Sequence, residues 1–337
     1  MNAYDTWSSV DLRSATEAAR RALAEYGFDD DAEVCPIGVS ENAVFRIESN
    51  DRIAGILRIH RRGYHTAASI RSEFLWMQAL RTDCGLLVPQ VVPTTHGALV
   101  VPVTESTGGG LWLASLLDYL PGVHPRADQI GEVMESIGAI TATLHLHASR
   151  WVPDPWFERP FWDCENILGS NARFGSWKLH EMITATQRTI LENLEAALWN
   201  DLDTYGKDSD RFGLIHADIR LENMLLNGQD VCVIDFDDCG FGWYMYDVSA
   251  ILAFFDKNYS HGELVAKWIS GYEQVRRLSG TDERLIAAFI LLRRLLLIGW
   301  SATHASAHLA GTLDASFIDD TCLMAGDYSH NRSKAIR

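Results

Sequence analysis

A chain of 337 residues with 47% hydrophobic content has the length for two domains and ample apolar material for a packed core. Its 29 Lys and Arg stand against 45 Asp and Glu, a formal charge of -16 that excludes a sequence-independent grip on nucleic acid or an anionic membrane and suits a neutral or cationic small partner. Six scattered cysteines without a C-x-x-C pair, no apolar signal-peptide core at the N-terminus and no run approaching ~18 uncharged apolar residues together predict a cytoplasmic protein with reduced thiols, no zinc site and no membrane span.

In chain order, residues 14–26 place Ala and Leu on one helical side and are closed by Gly27. Residues 42–49 and 52–60 are β-rich runs around the turn residues Asn50 and Asp51, the pattern of a hairpin. Residues 69–85 put Phe74, Met77 and Leu80 on one helical face, and residues 98–103 and 111–120 read as strands joined by a turn at 107–110. This order predicts a small lobe of antiparallel sheet with one main helix. From Asp128 onward helical spacing dominates, over residues 129–148, 178–200, 246–255, 262–278 and 282–304. The fold class is α+β, with an expected N-lobe over residues 1–122 and a helical C-lobe over residues 123–337.

Set among those helices is LIHADIRLENMLLNGQDVCVIDFDD, residues 214–238, where polar and charged side chains at fixed intervals sit between two apolar, strand-like runs. His216, Asp218 and Asn223 have the spacing H-x-D-x-x-x-x-N, and Asp235 follows Asn223 by twelve residues. Phosphoryl transfer from a nucleotide needs a carboxylate to orient or deprotonate the attacking hydroxyl and oxygen ligands that hold Mg2+ on the phosphates. Asp218, Asn223 and Asp235 supply that inventory.

On these motifs the sequence resembles the protein-kinase-like phosphotransferases, which include aminoglycoside phosphotransferases, choline kinases and homoserine kinases, over about residues 35 to 300. The resemblance implies a two-lobed protein-kinase-like fold, ATP (with GTP an alternative) and Mg2+ as cofactors, and phosphoryl transfer to a hydroxyl of a small molecule. It makes Asp218 the catalytic base and Asn223 and Asp235 magnesium ligands, with Asp237 a further ligand or a support for one. Arg220 falls where many protein kinases have a Lys touching the transferred phosphate, and Asp247 resembles the Asp that braces the catalytic loop. The first lobe has neither G-x-G-x-x-G nor V-A-I-K; Ser40 and Asn42 stand in the phosphate loop, Arg58 in place of the Lys, and Glu73 as its partner. Asp118 and Leu120 match the hinge whose backbone meets the adenine.

Ala217 precedes Asp218 where loop-phosphorylated kinases have Arg, and eleven residues between Asp235 and Asp247 leave no room for a long activation segment or a peptide platform. The acceptor is therefore expected to be a small hydroxyl compound, aminoglycoside-, amino alcohol- or sugar-like, and not a protein. Trp243, Tyr244, Asp238 and Asp163 are the expected acceptor-pocket residues, with the carboxylates favouring an acceptor that carries an amine. His145 and His147, two apart on a helix, face different ways and read as ordinary core and surface histidines rather than metal ligands. A stress-response-type Ser/Thr protein kinase and a non-catalytic nucleotide-binding regulator are the alternatives; oligomeric state is left open.

Overall fold

A computed structural model describes residues 9–39, 41–104, 110–170, 172–228, 230–255, 261–304 and 308–335. Ser40 and residues 107–109 of the expected turn lie outside the described residues. In chain order the regular elements begin with α1 (Ser9–Glu25), β1 (Glu33–Val39), β2 (Asn42–Ser49), β3 (Arg52–His60), α2 (Ala67–Cys84), β4 (Val91–Val92), β5 (Val101–Thr104) and β6 (Leu111–Leu117). There follow α3 (Ile130–Ala148), β7 (Phe161–Trp162), α4 (Cys164–Leu168), α5 (Ala185–Tyr205), β8 (Phe212–Ile215), β9 (Met224–Asn227), β10 (Asp230–Val233) and β11 (Gly240–Trp243). The last four helices are α6 (Tyr246–Leu252), α7 (His261–Glu273), α8 (Gly280–Thr303) and α9 (Ala315–Ala335).

These elements form two compact units: Met1–Val123 with Pro153–Arg159 and Leu225–Asp237, and His124–Val152 with Pro160–Met224 and Asp238–Arg337. The first is built on an antiparallel sheet in the order β1-β2-β3-β6-β4, with β5 also on β6. Period-two alternation sends Ala43, Phe45 and Ile47 of β2, Leu57 and Ile59 of β3, and Trp112, Ala114 and Leu116 of β6 to one face, where the alanine side of α1 covers them. Asn50 and Asp51 take positive φ of 53° and 59°, the conformation a two-residue hairpin turn requires of both central positions. Helix α2 starts at Thr66, whose hydroxyl accepts from the Ser69 amide at 3.0 Å, and stops at Gly85 in the left-handed region.

The second unit is helical around a three-stranded sheet, β7-β11-β8, in which β11 runs parallel to β7 and antiparallel to β8. Helices α3 and α7 approach closely because Gly138 and Gly271 lack side chains: a Cβ on Gly271 would stand 1.8 Å from the Glu135 carbonyl oxygen. Helix α8 begins in a reciprocal cap between Ser279 and Asp282 and buries most of its side chains. By length and composition alone it is apolar enough to cross a membrane, which counting uninterrupted apolar runs does not reveal because Arg293 and Arg294 interrupt it. Both arginines are buried within this unit.

Candidate active site

In the first unit the alternation that sends Leu57 and Ile59 into the core turns Arg58 and His60 to the other face of β3. Arg58 is 3% exposed. Its Nη2 donates to Oε1 of Glu73 on α2 at 2.5 Å, and its Nη1 lies 3.8 Å from an Asp235 oxygen and 3.9 Å from an Asp237 oxygen. Burial alone lowers the Arg58 pKa, but Glu73, Asp237 and Asp235 outweigh it, so the guanidinium stays charged at any working pH. Burial raises the Asp237 carboxyl, and His65, Arg58 and His60 more than reverse that, holding it well below the usual carboxylate range. His60 is pushed down to about 3, by burial first and then by Arg58.

The segment that carries these carboxylates is tied down at its backbone. Nη2 of Arg159 and Nε2 of His65 both donate to the Asp237 carbonyl, the latter at 2.8 Å, and Arg159 Nη1 donates to the Ser69 carbonyl at 3.1 Å. Asp235 has φ of 60°, a left-handed conformation that costs a non-glycine residue roughly 1–3 kcal/mol and persists only where the surroundings enforce it. Both carboxylate oxygens of Asp237, Nε and Nη1 of Arg58 and Oε2 of Glu73 are buried without a hydrogen-bond partner. Buried polar atoms are nearly always paired, so this cluster fits a cation on the carboxylates and phosphate oxygens on the guanidinium. Among the described residues no three His, Cys, Asp or Glu side chains gather into a metal cage. Mg2+ characteristically takes one or two carboxylates and completes its shell with phosphate oxygens and water.

In the second unit β8 delivers the chain into the loop of residues 216–223. Ala217 takes φ of 67°, and the carboxylate of Asp247, at the start of α6, holds that turn by accepting from the His216 amide at 3.1 Å and the Ala217 amide at 2.7 Å. His145 Nε2 donates to Asp247 at 3.0 Å, while its Nδ1 accepts from the Tyr272 hydroxyl at 2.9 Å. Burial lowers the His145 pKa against the pull of Asp247, which suits this neutral tautomer. The loop thereby presents Asp218 with both carboxylate oxygens engaged. Oδ2 accepts from Asn223 Nδ2 at 2.8 Å and lies 3.2 Å from Arg220 Nε; Oδ1 accepts from Arg293 Nη2 at 2.6 Å. Burial raises the Asp218 carboxyl, but Arg220, Arg293 and His216 outweigh it and keep it ionised below its ordinary range. The Asn223 amide nitrogen is committed to Asp218, which leaves its amide oxygen as an acceptor for a metal.

Arg58, Glu73, Asp235 and Asp237 thus come together in one unit, and Asp218, Arg220 and Asn223 in the other. Arg220, expected on the transferred phosphate, is salt-bridged to Asp218 and lies 3.9 Å from Glu222. Asn42 is buried at the start of β2, where its side-chain oxygen accepts from the Arg61 amide at 3.4 Å. The Asp118 N–H donates to the Gln90 carbonyl at 2.8 Å, which leaves its carbonyl for the expected adenine contact. Leu120 is half-buried beyond the end of β6.

Three acceptor-pocket expectations are corrected. Trp243 and Tyr244 are 2% and 1% exposed. The Trp243 indole donates to the Gly206 carbonyl at 2.7 Å, and Tyr244 stacks on His145, so both are packing residues with their polar ends spent. Asp163 caps α4 through the Asn166 amide at 3.0 Å and pairs with Lys207 at 2.6 Å, which satisfies its charge inside the protein. Asp238 is half-buried, its carbonyl accepts from the Trp162 indole at 2.7 Å, and its charge acts on Arg293 and Tyr246. Sequence reasoning missed His65, Arg159 and Arg293. Only Arg293 left a signal, two adjacent arginines inside the apolar run LLRRLLLIGW, since a charge in a core helix needs a partner.

The profile of the phosphotransferase enzyme family, APH, matches residues 31–284. Amicoumacin kinase of Bacillus subtilis (strain 168) is 26% identical over 289 residues, covering 82% of this chain and 82% of that one. The structure of the microcompartment-associated aminopropanol kinase is 36% identical, with a TM-score of 0.86 over 94% of this chain and 98% of that one. A structure of the amicoumacin kinase hAmiN in complex with AMP-PNP, Ca2+ and Ami, 22% identical with a TM-score of 0.75 over 96% of each chain, matches in fold. The chain therefore belongs to the phosphotransferase enzyme family, with a protein-kinase-like fold and the activity of a kinase that phosphorylates a small-molecule hydroxyl.

Proposed function

We propose that this enzyme transfers the γ-phosphoryl group of ATP, with Mg2+, to the hydroxyl of a small compound that also carries an amine. The observation that carries the reading is the half-buried, ionised carboxylate of Asp218, fixed through both oxygens in a loop whose strained turn is braced by Asp247. In this reading the hydroxyl oxygen forms a bond to the γ-phosphorus as the bond from that phosphorus to the bridging oxygen breaks, ADP leaves, and the hydroxyl proton passes to Asp218. Arg58, held by Glu73, would meet the phosphates, Asp235 and Asp237 would hold the metal ion, and Asn223 keeps free the amide oxygen that the family resemblance makes a metal ligand. Bound Mg2+ supplies neutralisation of phosphate charge. The protein's own part is positioning and fixed charge, without a covalent intermediate.

Two observations support the amine. The relatives named above include an aminopropanol kinase at 36% identity. Asp238, three residues past Asp235, keeps a half-buried carboxylate whose charge reaches the Asp218-bound Arg293. A partly desolvated carboxylate at this position favours a cationic group nearby over a neutral one. The test measures ADP release with a short amino alcohol, its N-acetylated analogue and a mixture of unfolded proteins. The amino alcohol is expected to react fastest; equal rates with the acetylated analogue would remove the charge argument, and incorporation into protein alone would overturn the substrate class.

A further inference from the structure

Arg293 lies midway along α8, 4% exposed, among Leu291, Leu292, Leu295 and Leu296, which are all buried. Burying a guanidinium costs several kcal/mol unless its charge and donors are met, so apolar helices rarely keep one without a specific use. Its neighbour Arg294, one residue on and about 100° around the helix, has a scaffold use: it donates to the Ala253 and Phe317 carbonyls at 2.8 and 2.9 Å and to the Thr321 hydroxyl at 2.8 Å. Arg293 faces the loop instead. Nη2 donates to Asp218 Oδ1 at 2.6 Å, and Nη1 donates to the Tyr246 hydroxyl at 3.2 Å and the Ala217 carbonyl at 3.4 Å. Asn223 and Arg220 stand on the other carboxylate oxygen. Donors on both oxygens fix the plane of the carboxylate, and removing the one on Oδ1 leaves it able to turn about its χ2.

We propose that Arg293 is a positioning residue for phosphoryl transfer: from α8 it sets the plane of the Asp218 carboxylate, with Tyr246 holding the guanidinium in turn. This rests on Asp218 being the base. Arg293 touches neither nucleotide nor acceptor in this account, so its loss acts on turnover through Asp218.

The experiment is a kinetic cycle of wild type, Asp218→Asn, Arg293→Met and the double variant, assayed for ADP release with the amino alcohol, alongside Arg293→Lys, Tyr246→Phe and thermal melts of each. Arg293→Met is expected to lower kcat about 100-fold, the size of effect a misplaced reacting group produces, with KM for ATP within about twofold. Arg293→Lys, which keeps the charge but not the forked geometry, should recover part of the loss. Tyr246→Phe should lower kcat about fivefold, as loss of one hydrogen bond predicts. In the Asp218→Asn background Arg293→Met should cost nothing further, because residues that act as a unit are not additive. An equal further loss in that background, or a KM effect as large as the kcat effect, would overturn the proposal. Should Arg293→Met not fold, Arg293→Lys and Tyr246→Phe carry the same kcat-against-KM prediction, and unchanged kcat in both overturns it. A full rate in Asp218→Asn alone would instead remove the base assignment on which it rests.

Discussion

Arg58 is the side chain on which the first unit's charge balance turns. It replaces the lysine that the family resemblance leads one to expect, and it is buried against Glu73, Asp235 and Asp237. Arg58→Ala leaves the buried Glu73 without its cationic partner and Asp237 with His65 alone, so besides weaker ATP binding it should destabilise the protein by about 3–5 kcal/mol. Arg58→Lys keeps a point charge and should retain partial activity. Denaturant titration and ATP calorimetry on both variants measure the two effects; Arg58→Ala with wild-type ATP affinity and stability would show that the phosphates are met elsewhere. Asp235→Ala should fail differently, by losing the Mg2+-dependent part of nucleotide affinity while its melting temperature holds, because its carboxylate is 44% exposed. At this scale the motif spacing singled out Asp218, Asn223 and Asp235, and the family resemblance singled out Arg58 and Glu73, since each lies in a local pattern. Arg293 escaped because its bond to Asp218 spans 75 residues, a pairing that only the fold brings about. Trp243 and Tyr244 were misassigned for a related reason: an aromatic run next to a metal-site Asp looks the same whether it lines a pocket or packs a three-stranded sheet against helices.

Elements with strong periodicity were legible and those without it were not. The β2–β3 hairpin and helices α2, α3 and α8 lie within a few residues of their expected spans. Helix α9 and strand β1 were not foreseen. The helix mixes Gly326 and Asn331 into a weak amphipathic pattern, and β1 carries Pro36 and an irregular register at Gly38, which only an edge strand tolerates. Helix α5 starts at Ala185 rather than 178, because the Thr184–Gln187 capping box sets its beginning and the preceding residues form a separate short turn, Trp177–Leu179. The sequence boundary near residue 122 also gave no hint that Leu225–Asp237 pack with the first unit, since composition along a chain does not record return contacts. The α3–α7 contact yields a test of its own. Gly271→Ala puts a methyl into the Glu135 backbone, so the helices must separate, at about 1–3 kcal/mol. Gly262→Ala, on the same helix with open space around its Cα, is the control and should be neutral or slightly stabilising. Equal melting temperatures for the two variants would contradict the close packing.

For the molecule as a whole, buried titratable groups predict sensitivity to acid. His60 is pushed down to about 3, and His145 is also lowered by burial. Between the ordinary histidine pKa of about 6.5 and these depressed folded values, the unfolded chain binds more protons than the folded one. Stability therefore falls as pH falls, by up to about 1.4 kcal/mol per pH unit for each histidine. Asp163 and Asp201 add to this at lower pH: burial raises both, but Lys207 and Asn166 at the first and Arg332 and Tyr328 at the second outweigh it. Their contribution is present above the ordinary carboxylate pKa of about 3.9 and is lost as pH drops through the depressed folded values. Urea denaturation should give its highest stability near or above neutrality with a decline setting in below pH ~6.5, and His145→Gln should flatten that decline. A curve that is level from pH ~6.5 to ~4.5 would contradict the burial of neutral histidines.

The most direct test of the account as a whole is transfer of label from [γ-32P]ATP to a short amino alcohol in the presence of Mg2+, in wild type and in Asp218→Asn. Acceptor-dependent labelling by the wild type, with the Asn variant slower by about 100-fold or more and its nucleotide binding intact, is the predicted result. An Asn variant that keeps more than about a tenth of the wild-type rate would contradict the claim that Asp218 carries the reaction.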